Sequence, residues 1–164
     1  MVISCESQNF NTMETIKNFS FLFLTLAILS CNVTKTATFD HYSYQKTTEL
    51  KVESLQLIDK GTTSYQENVQ QINTLLLNIE KLKEYEKNKP DNEITFAMWK
   101  ILSDEEMNLL GGFFKRWKDA GQLSPAFVSE AKKQVMDAMD LLIQYEIKKD
   151  KQSKDNLMNL ISNF

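Results

Sequence analysis

From Val128 to Tyr145 an apolar residue recurs at steps of 3, 4, 3, 4 and 3: Val128, Ala131, Val135, Ala138, Leu142 and Tyr145. Only an α-helix puts that spacing on one face, so the seam predicts a long helix packed at about 20° against an antiparallel neighbour. Ser124 and Pro125 stand before it, a capping side chain followed by a residue whose missing N–H is no loss in a first turn. The 164 residues include four glycines and two prolines, too few for many turns. No alternating Val, Ile and Thr run bounded by turn residues is present, so a sheet has no place. The fold class that follows is all-α.

The rest of the chain divides in the same way. Asp40 can cap a helix over Tyr42–Lys60 carrying Tyr44, Leu50, Val52, Leu55, Leu57 and Ile58, with Gly61 as its stop. Thr62, Thr63 or Ser64 can cap the next, Tyr65–Asn88, whose stripe is Tyr65, Val69, Ile72, Leu76 and Ile79, widened by Leu75 and Leu82. Its end, Glu80 to Lys89, alternates acids and lysines and reads as a solvated face. A short helix is expected over Thr95–Leu102. Ser103 and Glu106 have the spacing of a capping box, which predicts a third long helix with the stripe Met107, Leu110, Phe114 and Trp117, ending at Gly121. After Ile147 comes a polar break, KKDKQSKD, then an amphipathic tail with Leu157, Leu160, Ile161 and Phe164. The sum is a bundle of about four helices plus one short one.

Chemistry is harder to find. His41 is the sole histidine, which excludes multi-histidine metal sites and leaves a hydrolase reading resting on one residue beside Asp40. Asp104, Glu105 and Glu106 suit the positive end of a helix dipole, and Asp137 and Asp140 share a face with Lys133. No catalytic residue, metal or cofactor is expected. Gly111 and Gly112 interrupt the third stripe, and a glycine inside a helix costs ~1 kcal/mol against alanine. Beside the aromatic and basic run FFKRW they suggest a ligand hollow walled by Trp99, Gly111, Gly112 and Trp117.

Phe19 to Leu29 is interrupted only by Ser20 and Thr25, about 11 apolar residues against the ~20 a spanning helix needs. Lys17 ahead of it gives a cationic lead, so the segment reads as a signal peptide, with Met13 the more natural start. It closes on Ile28-Leu29-Ser30-Cys31, which resembles the lipobox of bacterial lipoproteins. The resemblance implies cleavage before Cys31, a diacylglycerol thioether on its sulfur and a membrane anchor; Asn32 in place of Asp implies the outer membrane, facing the periplasm. Residues 1–30 are then the signal, 31–40 a lipidated tether and 41–164 the helical domain. The stretch NLLGGFFKRWKDAGQLSPAFV is similar to small helical lipoproteins of Gram-negative bacteria.

Setting aside Lys17, Glu6 and Glu14 leaves 18 basic and 20 acidic side chains, a balance that disfavours nucleic acid as a partner. With Cys5 removed and Cys31 acylated no disulfide is available, so packing alone must hold the domain. Two functions are expected of such a chain. One is a non-catalytic protein-interaction module, an adaptor or an immunity-like inhibitor of another envelope protein. The other is a binder of a small ligand or lipid headgroup.

Overall fold

The computed structural model describes residues 37–162, and every regular element among them is helical. α1 (His41–Asp59) passes through one 3₁₀ turn, Lys60–Thr62, into α2 (Tyr65–Lys87); α3 (Glu93–Ser103), α4 (Leu110–Ala120), α5 (Pro125–Lys148) and α6 (Lys151–Ile161) follow. At 1.5 Å per residue α1 is ~28 Å long, whereas α3 and α4 are each ~16 Å. Together those two halves carry the chain from one end of the bundle to the other, as α1, α2 and α5 each do alone. The signal, the lipobox with Cys31, and Phe164 lie outside the described residues.

α5 has the predicted face. All six seam residues from Val128 to Tyr145 are buried, joined by Met139 and Glu146. Its partner is α1, and two ion pairs set the register: Lys51 meets Asp140, and Asp59 meets Lys132 at 2.6 Å. Eight residues forward on one helix match eight backward on the other, so the pair is antiparallel. The Lys51 pair also replaces the local partnership with Lys133 that the spacing around Asp137 and Asp140 suggests.

α1 shows a row that hydrophobicity misses. Its buried residues are Ser43, Thr47, Leu50, Ser54, Leu57 and Ile58, while Val52 is half exposed. The hydroxyls of Thr47 and Ser54 have no hydrogen-bond partner, so these residues contribute small volume to the interior. On α2 the buried row is Tyr65, Asn68, Ile72, Leu75, Ile79, Leu82 and Glu86, at steps of 3 and 4 throughout; Val69 and Leu76 flank it. Nor does Ser64 cap α2 with its side chain.

The third long helix is broken. Ser103 ends α3, its hydroxyl donating to the Trp99 carbonyl at 2.8 Å, so no capping box forms with Glu106. Instead the Glu106 amide donates to Asp104 Oδ1 at 2.9 Å in a turn, and the helix restarts at Leu110. A Cβ on Gly111 would stand 2.5 Å from the carbonyl oxygens of both Ser103 and Asp104, and one on Gly112 would run into the Met107 carbonyl. The paired glycines therefore let the first turn of α4 lie against the backbone that precedes it. A second sharp corner replaces the expected polar break. Lys149 takes a left-handed conformation with φ 47, and Asp150 caps α6 by accepting from the Ser153 amide at 2.8 Å.

At the end away from residue 37 the α1–α2 and α4–α5 turns are stitched together. Leu123 N–H donates to Gly61 O at 2.9 Å, Tyr65 N–H to Gly121 O at 2.8 Å, and Trp117 Nε1 to Thr63 O at 3.0 Å. Gly121 is the predicted stop, with φ 76, whereas Gly61 is needed for space. A Cβ on Gly61 would stand 2.8 Å from Phe113 Cζ and 3.0 Å from Val128 Cγ2.

Two substitutions test this packing. Helix propensity alone would make Gly112→Ala stabilising by ~1 kcal/mol. Steric conflict with an immovable carbonyl reverses the sign, so urea denaturation should show Gly112→Ala losing more stability than Gly61→Ala, which overpacking places at ~1–3 kcal/mol.

Candidate functional site

The opposite end, where the chain runs into α1, is closed by charge. Asp40 caps α1, its Oδ1 accepting from the Tyr42 amide at 3.0 Å. Its Oδ2 accepts from Tyr85 Oη at 2.7 Å and Ser43 Oγ at 3.0 Å, and pairs with Lys89 Nζ at 3.3 Å. Lys89 also donates to Ser43 Oγ at 2.8 Å and pairs with Glu86 Oε2 at 3.3 Å. That same carboxylate oxygen accepts from Asn92 Nδ2 at 2.5 Å.

A second group adjoins it. Glu146 Oε1 accepts from Thr95 Oγ1 in a short hydrogen bond and from Lys149 Nζ at 2.7 Å, and the Lys149 ammonium lies 4.4 Å from the Tyr145 ring centre. The charges of Glu86 and Lys89 reach Lys149, so the two groups act on each other. Four helices contribute: α1, α2, α3 and α5, the last through Glu146 and its capping residue Lys149. Glu86, Asn92, Thr95, Tyr145 and Glu146 are all at most 1% exposed.

Each shift in acidity follows from this setting. Burial pushes the Lys149 ammonium below its ordinary value, against the pull of Glu146. Burial and then the Glu146 and Glu93 charges push the Tyr145 hydroxyl up to about 12. For Asp40 burial works upward, but the hydrogen bonds from Tyr85 and Ser43 and the Lys89 charge outweigh it and hold the carboxyl at about 2. Tyr85, donating to that carboxylate, is raised to about 12. These groups hold one another in place. Glu86 Oε1, Asn92 Oδ1, Glu146 Oε2 and the Tyr145 hydroxyl have no protein partner, which marks the interior of the cluster as its least satisfied part.

Above the Asp40 group lies an aromatic surface. Phe39 is 52% exposed, Tyr42 44% and Tyr85 41%. The Tyr42 and Tyr85 ring centres are 4.7 Å apart, and those of Phe39 and Tyr44 6.2 Å. Tyr85 is pinned through its hydroxyl to Asp40, and the Ala37 amide donates to Asp91 O at 2.9 Å, fixing the incoming chain.

The sequence-predicted hollow is arranged otherwise. Trp99 and Trp117 are fully buried, the latter edge-on to Tyr65 at 5.7 Å, and backbone carbonyls occupy the space beside Gly111 and Gly112. The two tryptophans thus pack the interior, while Gly112 lines a surface hollow with Asn108 and Arg116. Glu80–Lys89 is not wholly a solvated face either, since Glu86 and Lys89 form the cluster just described. Its signal was Glu86 itself, four residues after Leu82 and so on the core row of α2. His41 stands exposed in the first turn of α1. Among the described residues no group of His, Cys, Asp and Glu is placed to hold a metal ion, and no helix is long and apolar enough to cross a membrane. Comparison with protein-family models, curated proteins and solved structures found no match.

Two predictions follow from the charges. Glu146→Gln takes away the carboxylate nearest Lys149 Nζ and should cost ~3–5 kcal/mol in denaturant unfolding, much of it regained in Glu146→Gln/Lys149→Met. Asp40 has a folded pKa of about 2, below its ordinary 3.8, so its contribution is present above pH ~4 and is lost as pH falls through about 2. Asp40→Ala should therefore lower stability by ~1 kcal/mol at neutral pH, and the two unfolding curves should converge toward pH ~2.

Proposed function

We propose that this chain is a non-catalytic protein-interaction module, held at the membrane by an acylated Cys31 and docking another envelope protein as an adaptor or inhibitor. The observation that carries the reading is the exposed ring pair of Tyr42 and Tyr85, with exposed Phe39 at the same end, Tyr85 being held through its hydroxyl by Asp40 and Asp40 in turn by Lys89. Rigid, partly exposed aromatics supply contact area at small entropic cost, which is why Tyr is enriched where proteins meet. The lipobox, the cationic lead of Lys17 and Asn32 support an outer-membrane anchor facing the periplasm. Phe39 follows Cys31 by eight residues, which even fully extended reach no more than ~29 Å, so such a partner would meet the bundle close to the bilayer.

The alternative, a small-ligand binder, is favoured by a separate feature, a hollow at Arg116.

Photo-crosslinking in native membranes separates the aromatic face from the rest of the surface. A crosslinker at Tyr42 should give one discrete protein adduct, weakened about tenfold by Tyr85→Ala, while a crosslinker at exposed Leu77 on α2 should not give it. Equal adducts from both positions, or none, would refute the docking face. Loss of fatty-acid labelling in Cys31→Ser tests the anchor separately.

A further inference from the structure

Arg116 is the only arginine in the chain. Its neighbour Lys115 is paired with Asp119 at 3.1 Å, but Arg116 itself makes no ion pair among the described residues. Its guanidinium carbon lies 4.8 Å from the centre of the Phe127 ring, and that ring is parallel to Phe113 within 2°, with centres 6.1 Å apart. Arg116, Phe127 and Phe113 thus form one association across α4 and α5.

The stack stands at the junction of two hollows. One, of about 230 Å³, is floored by Leu109 and Phe113 and edged by Asn108 and Gln134. The other, of about 480 Å³, shares Asn108, Gly112 and Arg116 with the first and extends toward Glu105 and Glu106.

The chemistry of such a place is specific. A guanidinium is planar, with five N–H donors in its own plane and two faces above and below. Phe127 lies under the guanidinium carbon, and none of the guanidinium donors is taken by an ion pair among the described residues, which leaves them for a planar acceptor with two oxygens. Stacking also limits the rotamers of the side chain, so less freedom is lost when an acceptor is bound. Phe127, partly exposed, offers an apolar surface beside that charge, with Leu109 and Phe113 buried behind it. Glu130 on one side and Glu105, Glu106 and the Lys115–Asp119 ion pair on the other leave the surroundings net acidic. A dianion such as phosphate would meet repulsion there, whereas a monoanion held on both guanidinium edges meets less.

We infer that the hollow at Arg116 binds a small carboxylate bearing a flat or branched apolar group, with the carboxylate on the guanidinium and the apolar group against the partly exposed Phe127. The inference requires neither the lipid anchor nor the aromatic face at the other end of the bundle, so it stands or falls separately from the proposed function.

Sodium phenylacetate is a suitable probe. Titrated into the full chain, it should shift the Arg116 Nε–H and Phe127 ring resonances with a Kd of roughly 1 mM, as a ligand of ten heavy atoms allows. Inorganic phosphate should bind at least tenfold more weakly. Arg116→Lys keeps the charge but loses the two-pronged geometry and should weaken phenylacetate at least tenfold; Arg116→Gln should abolish it, both variants keeping the parent melting temperature. Absence of shifts at these two residues, equal binding by Arg116→Lys, or phosphate binding as tightly as phenylacetate would overturn the inference.

Discussion

The bundle buries charge at the end where residue 37 enters it, and much of the rest depends on how that charge is balanced. Asp40, Glu86 and Glu146 face Lys89 and Lys149, three carboxylates against two ammoniums, drawn from α1, α2 and α5 and the turns that follow the last two. Removing charged groups from water costs several kcal/mol each, so the arrangement persists only because each ion has a near partner and added hydrogen bonds. Ser43, Tyr85, Asn92 and Thr95 supply those bonds. An ionic group of this kind is geometrically demanding where apolar contacts are tolerant. It fixes the angles at which α1, α2, α3 and α5 end, and so it fixes the surface they present.

The far end is closed by different means. There the turns at 60–64 and 121–124 exchange backbone hydrogen bonds, and Gly61 admits Phe113 and Val128 into the space a side chain would fill. Between the two ends the core is conventional, with the α5 seam against the small-residue row of α1. Both tryptophans contribute to that interior.

Much of this could be read from the amino acids. The α5 seam, the caps at Asp40 and Ser124 and the stop at Gly121 are local signals, and local geometry honours them. What failed was any inference that set local pattern against tertiary need. Ser43, Thr47 and Ser54 look like surface residues because hydropathy weighs their hydroxyls and ignores their volume. Ser103 and Glu106 have the right spacing for a cap, but the chain turns between them so that α3 and α4 can each pack separately. Glu86 and Lys89 sit in a run of charges whose other members are solvated, and only their position on the core row of α2 sets them apart. Arg116 stands out in the run FFKRW, but its seat on Phe127 depends on α5, which sequence spacing cannot place.

The central claim is that buried charge makes the aromatic end of the bundle rigid. Helix termini and incoming segments ordinarily open at almost no free-energy cost, and amide hydrogen exchange measures that opening residue by residue. The amides to follow are Ala37, bonded to Asp91 O, and Tyr44, bonded to Asp40 O, in the parent chain and in Lys89→Met. If the ionic group holds this end, both amides exchange slowly in the parent and at least tenfold faster in the variant, while those along the α5 seam are unchanged. Exchange at peptide-like rates in the parent, or no response to the loss of Lys89, would contradict it.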